Sequence, residues 1–168
     1  MMNSVDFHGD VFISDFTNYC NNSGDQDVPS TGVAVLRNEN HVLVKIVNNE
    51  KNLSFFRRPD GTIVPQCECI VNSVRNDNRK GWLFFLELKY CEPKNVYVSM
   101  LDGINQLKAT CNYVLKEKGE YRPKHFKKFL VISTPGTEPL DPFSASYFDQ
   151  DLMLRVKEET GAVLKACN

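Results

Sequence analysis

The run Trp82-Leu83-Phe84-Phe85-Leu86-Glu87-Leu88-Lys89-Tyr90 constrains this chain more than any other stretch, because seven of its nine residues are apolar or aromatic. A run of that length and texture reads as a strand buried on both faces. Side chains alternate along a strand, so Glu87 and Lys89 project to one side while Leu86 and Leu88 project to the other. A charged pair is therefore delivered to the end of a core strand. Burying charge costs free energy unless it is paired or coordinated. The plain reading is an internal ion pair at a strand terminus.

The chain has 168 residues, which is enough for one domain with a genuine core. Hydrophobic residues make up 42% and charged residues 24%, ordinary values that argue against global disorder. The formal charge of −1 argues against a general polyanion binder, but it is unevenly spread. Residues 1–30 carry −5, residues 137–168 carry −3, and the stretch between them carries +7. A basic centre between acidic ends allows a phosphate-facing middle.

Six cysteines stand at 20, 67, 69, 91, 111 and 167. The N-terminus lacks a basic region followed by an apolar one, and no apolar run approaches membrane-spanning length, so we expect a cytoplasmic chain with no membrane partner and reduced, mostly buried thiols. Cys67-x-Cys69, Cys91 and Cys111 lack the paired C-x-x-C spacing of structural zinc. His8, His41 and His125 lie far apart, which gives little support to a His-based metal site or a Ser-His-Asp triad.

In chain order, the sequence predicts a short helix over about residues 10–20 and a loop over 21–30. Val33–Leu36, His41–Val47, Leu53–Arg58 and Ile63–Val74 then read as strands. They are separated by Asn38-Glu39-Asn40, by Asn48 to Asn52 and by Pro59-Asp60-Gly61, giving an antiparallel meander. The link over residues 72–81 folds the strand carrying Glu68 beside 82–90 as a hairpin. Glu68 and Glu87 can then converge with Lys89, and two carboxylates held close repel unless a cation or a proton sits between them, hard oxygen ligands selecting a divalent ion such as Mg2+ or Mn2+. Residues 99–118 form an amphipathic helix with Met100, Ile104, Leu107, Cys111 and Val114 inward, Ser99 as N-cap and Gly119 as stop. Residues 116–128 are basic and lead into a strand over Phe129–Ser133. Pro139 and Pro142 bracket an edge-capping loop with Phe143, Tyr147 and Phe148. A last helix over Asp149–Glu159 and a small element over Ala162–Ala166 complete the chain. We expect an α+β or α/β domain over 1–168 with a core at about 30–134, acidic extensions at both ends, and a central mixed sheet with a β-meander, flanked by helices.

The order of helix, meander, acid-bearing strand, Glu-x-Lys strand, amphipathic helix and strand resembles the PD-(D/E)xK nuclease-like superfamily, which has the restriction-endonuclease-like fold. Glu68 matches the first acid, Glu87-Leu88-Lys89 the (D/E)xK element, and Gln106-Leu107 the Gln-Leu motif of RecB-like exonuclease domains. Two features depart from the pattern: a glutamate stands where the family usually has aspartate, with Pro65 three residues before it, and no N-terminal acid matches the extra glutamate of some members, Asp10 and Asp15 being only candidates. The resemblance implies metal-dependent hydrolysis of phosphodiesters. Glu68, Glu87 and the main-chain carbonyl of Leu88 would hold Mg2+ or Mn2+; Lys89 would orient water or stabilise developing charge; Gln106 would position water or a nucleotide. Arg57, Arg58, Lys124, Lys127 and Lys128 would contact the backbone of nucleic acid, DNA being favoured over RNA. A homodimer or a larger defence or repair complex would supply any sequence specificity. Two alternatives stand beside this: a catalytically inactive nuclease-fold module that binds nucleic acid or a protein partner, and an unrelated α+β protein in which Glu87 and Lys89 are a structural ion pair.

Overall fold

The computed structural model describes residues 2–14, 19–21, 33–74, 80–89, 93–121, 126–134 and 148–167. Strands β1 (Val5–Phe7), β5 (Val44–Asn48), β6 (Cys69–Ser73), β7 (Gly81–Leu88), β8 (Phe126–Ser133) and β9 (Val163–Cys167) form one mixed sheet in the order β1-β5-β6-β7-β8-β9. The β1/β5, β5/β6 and β6/β7 pairs are antiparallel, whereas β8 and β9 join in parallel. Parallel neighbours need crossovers, and helices α1 (Val96–Asn112) and α2 (Gln150–Thr160) lie in those two connections. Strands β2 (Val11–Ser14), β3 (Tyr19–Asn21) and β4 (Val33–Leu36) form a second, antiparallel sheet in the order β3-β2-β4. This is an α+β arrangement in three layers.

The central strand β7 behaves as its composition dictates. Leu83 and Phe85 join the core beneath α1, together with Ile104, Leu107, Leu130 and Val156, while Leu86 and Leu88 pack on the other face against Val11, Ile13 and Ala34 of the small sheet. Each such side chain contributes about 1.5–3 kcal/mol by leaving water. Glu87 follows Leu83 and Phe85 onto the α1 face. Met100, Ile104, Leu107 and Cys111 of α1 are all buried, as is Val114 just beyond it. The helix continues into a π-helical turn over Tyr113–Glu117, closed by the Lys118 N–H on the Tyr113 carbonyl at 2.9 Å, and Gly119 ends it at φ 63°. Both ends of the chain take part: β1 edges the large sheet, and Val156, Ala162 and Leu164 are buried in the main core. Among the described residues no helix is long and apolar enough to cross a membrane.

Several expectations are corrected. The N-terminal helix is replaced by β2 and β3, because Val11 and Ile13 bury alternate positions against the large sheet. Val33–Leu36 leaves the meander to pair with β2. Leu53–Arg58 is not a strand: it follows a 3-10 turn over Glu50–Asn52 as further turn, with an isolated bridge between Arg57 and Ile63. The cause lies just upstream, where the Asn48 side chain accepts from the Lys51 N–H at 2.8 Å and Asn52 Nδ2 donates to the Asn48 carbonyl at 2.6 Å. Such local bonds compete with a strand ladder. The strand expected from Ile63 begins only at Cys69. Helix α1 starts at Val96 after Asn95, not at Ser99, and no side chain caps it. The loop over 21–30 lies almost wholly outside the described residues, as do Pro139, Pro142, Phe143 and Tyr147 of the expected edge-capping loop, although Phe148 is buried.

Helix α2 has the cap that α1 lacks: Asp149 Oδ1 accepts the Leu152 N–H at 3.0 Å, and Gly161 closes the other end at φ 67°. Asp149→Ala should lower the unfolding free energy by about 1 kcal/mol. Asn95→Ala should leave it nearly unchanged. Urea unfolding of both variants checks this, and equal losses would refute the assignment of caps.

Candidate active site

At the C-terminal end of β7 a cleft of about 500 Å³ is lined by Glu50, Leu53, Gln66, Cys67, Glu68, Glu87, Leu88, Lys89 and Gln106. Four separate stretches build it: the turn after β5, the irregular segment before β6, the end of β7, and the middle of α1. Glu68, Glu87, Leu88, Lys89 and Gln106, widely spaced in the sequence, are thus brought to one place.

Glu87 sits at the centre, only 5% exposed. Its Oε1 meets Lys89 Nζ at 2.8 Å, and its Oε2 accepts the Glu68 main-chain N–H at 2.9 Å. Lys89 Nζ also donates to Gln106 Oε1 at 2.5 Å, and the Lys89 main-chain N–H donates to the Ser133 carbonyl of β8 at 2.8 Å. The ammonium is therefore aimed by a carboxylate on its own strand and an amide on the helix. Charge-assisted bonds of this kind are shorter and stronger than neutral ones.

The helix can come this close because position 103 is glycine. A Cβ there would stand 2.5 Å from Ile132 Cδ1, 3.1 Å from Lys89 Cε and 3.2 Å from Glu87 Cγ. Below the cleft, Cys67 is gripped by buried polar groups: its N–H donates to Thr110 Oγ1 at 2.8 Å and its carbonyl accepts from Asn49 Nδ2 at 2.7 Å. Burial pushes the thiols of Cys67 and Cys69 well above their ordinary range, and the nearby carboxylates push the same way, Glu87 on Cys67 and Glu68 with Glu87 on Cys69. Burial raises Cys111 to about 12. All three are free thiols, protonated at neutral pH and poor as nucleophiles or metal ligands.

Three carboxylates and one ammonium line the cleft, a formal charge of −2. A phosphate would be repelled from it without an added cation. The donors are oxygen: the carboxylates, the Gln106 amide, and Gln66 Oε1, which is buried with no hydrogen-bond partner. Among the described residues no group of three or more His, Cys, Asp and Glu side chains is assembled to hold a metal. An ion held here would therefore have only one or two carboxylates from the chain and would have to take its remaining positions from water or phosphate oxygens, as Mg2+ can. The residues present fit such an ion.

The basic residues expected to track a backbone lie elsewhere. Lys127 pairs in register with Trp82, five residues along from the Glu87 and Ile132 pair, so it stands roughly 16 Å down the sheet. Lys128, its neighbour, donates to the Thr160 carbonyl at 3.4 Å. Arg58 is paired with Glu117 at 3.2 Å near the Tyr113 ring, and Arg57 donates to the Gly61 carbonyl at 3.2 Å. Lys124 lies outside the described residues. Sequence reasoning missed Glu50, Gln66, Asn49 and Thr110. Glu50 and Asn49 sit in an Asn-rich turn, and Thr110, a polar residue outside the apolar stripe of the helix, is fully buried.

Gly103→Ala should destabilise the fold by about 1–3 kcal/mol through overpacking, despite the better helix propensity of alanine. Gly9→Ala, with nothing within 4 Å of the added carbon, should be nearly neutral. Thermal unfolding of the two variants checks this, and a stabilised Gly103→Ala would contradict the close approach of α1.

No family model matches this chain, and neither a curated protein nor a solved structure matches it.

Proposed function

We propose that this chain is a metal-dependent nuclease with a restriction-endonuclease-like core. The observation that carries the reading is the meeting of Glu68, Glu87, Lys89 and Gln106 in one cleft. The β5-β6-β7 meander, helix α1 and parallel strand β8 support the same reading, since they follow the order of elements on which the resemblance rests. The strands at 11–14 and 19–21 depart from it, standing where a helix was expected.

Glu68 and Glu87, with the Leu88 carbonyl, would hold Mg2+ or Mn2+. When bound, the ion supplies Lewis acidity toward phosphate and offsets the negative charge of the cleft. The chain's own residues do the rest. Glu87 is held in place by the Glu68 N–H and does not swing freely. Lys89, shared between Glu87 and Gln106, is poised to pass one of its three N–H donors to a phosphate oxygen as charge builds there. Gln106 keeps that ammonium on the cleft side of the helix. DNA is the favoured substrate, and the chain alone should cleave it with weak sequence specificity.

Two observations favour the inactive-module reading as well: both Glu87 oxygens already have partners, and the longer Glu68 stands where aspartate is usual. The two readings separate in one assay. Purified protein is incubated with single- and double-stranded DNA and RNA, in Mn2+ or EDTA, beside Lys89→Ala and Glu87→Gln with their folding checked by circular dichroism. The nuclease reading expects cleavage in Mn2+ alone, reduced about 10²–10³-fold or more in the variants, the scale of losing one transition-state donor. Binding without cleavage would move the assignment to the inactive module.

A further inference from the structure

We propose that Thr110, together with Asn49, is a positioning residue that sets the Glu68 acid against Glu87. The inference rests on the metal-dependent reading of the cleft. Pairing of β6 with its neighbours begins at Cys69, opposite Asn48 on one side and Leu86 on the other. Cys67 and Glu68 therefore come before the ladder, and side chains must take its place. The Cys67 N–H goes to Thr110 Oγ1 at 2.8 Å and its carbonyl to Asn49 Nδ2 at 2.7 Å. Both side chains are 0% exposed, and they reach the residue from different elements, α1 and the turn after β5. The next residue is then fixed at both main-chain groups: the Glu68 N–H on Glu87 Oε2 at 2.9 Å, and its carbonyl under the Asn49 N–H at 3.3 Å.

Thr110 also ties this segment to the opposite wall. Its hydroxyl proton lies within reach of the Gln106 carbonyl at 2.9 Å, or the Pro65 carbonyl at 3.3 Å. Gln106 is the residue that holds Lys89. One buried hydroxyl thus couples the acid-bearing segment to the helix turn that aims the ammonium. A threonine bonding back to the carbonyl four residues earlier is common on helices. A buried hydroxyl that also receives the N–H of the residue just before the acid is placed for registration. Such supporting contacts decide whether a site holds its geometry to about half an ångström.

Thr110→Val keeps the shape, removes the hydroxyl and strands the Cys67 N–H; Thr110→Ser keeps the hydroxyl. In the metal-free protein, hydrogen exchange at the Glu68 amide should quicken in Thr110→Val and not in Thr110→Ser, with the Phe85 and Leu130 amides unchanged in both. Mn2+ affinity and kcat should each fall about 10–100-fold in Thr110→Val, the usual effect of losing a partner behind a ligand, with KM for nucleic acid unaltered. Serine should rescue both. If Thr110→Val fails to fold, Asn49→Ala releases the other side of Cys67 and should give the same readouts. Unchanged Glu68 exchange and Mn2+ affinity, or a serine variant as impaired as valine, would overturn the positioning role alone. A wild-type chain that neither binds Mn2+ nor cleaves would instead overturn the nuclease reading, and this inference with it.

Discussion

A carboxylate nearly sealed from water at the end of the central strand is the constraint around which the structure is arranged. Glu87 cannot remain ionised there without partners, since an unpaired buried charge costs several kcal/mol even after relaxation. Lys89 supplies one partner and the Glu68 main-chain N–H another. Each partner then imposes its own demand. Lys89 must reach back along its strand to Glu87 and across to Gln106, which requires α1 to lie close enough that position 103 carries no side chain. The Glu68 N–H must point at Glu87 and cannot join a ladder, which leaves the preceding segment to Thr110 and Asn49.

This arrangement is expensive for a protein that needs only a fold. Replacing a buried ion pair with apolar residues of similar volume is often neutral or stabilising. Strand β7 already has Leu83, Phe85, Leu86 and Leu88 to bury, so Glu87 and Lys89 add nothing that packing required. Their presence beside an open, acceptor-rich cleft is the physical ground for reading the place as a site. The negative balance of the cleft points the same way, toward a cation that draws phosphate in.

Much of the framework was legible in the sequence, for identifiable reasons. The apolar run at 82–88 could bury only as a two-sided strand, and the stripe from Met100 to Val114 could face only a sheet. The antiparallel pairing of β6 with β7, which puts Glu68 and Glu87 on the lining of one cleft, followed from the hairpin those patterns imply. The N-terminal half was harder. Val11 and Ile13 alternate over too short a span to declare a strand, and the small sheet depends on pairing across residues distant in the chain. The apolar residues Leu53, Phe55 and Phe56 looked like a strand, but asparagines upstream capture the backbone in a turn. Glu50, Gln66, Asn49 and Thr110 carry no signal in sequence because their roles exist only once the turn, the irregular segment and the helix have met. The basic stretch at 116–128 gives no position by charge alone; it is the parallel register that places Lys127 roughly 16 Å down the sheet from Glu87.

The central claim is that the cleft at the end of β7 is a divalent-cation site built on Glu68 and Glu87. Titrating the ¹⁵N-labelled chain with substoichiometric Mn2+ and following amide signals tests it directly, because paramagnetic broadening is steepest next to the ion. The account predicts broadening centred on Glu68, Glu87 and Lys89, and abolished in Glu87→Gln. Broadening centred elsewhere, such as at the exposed carboxylates of Asp149 and Asp151, or none at millimolar Mn2+, would contradict it.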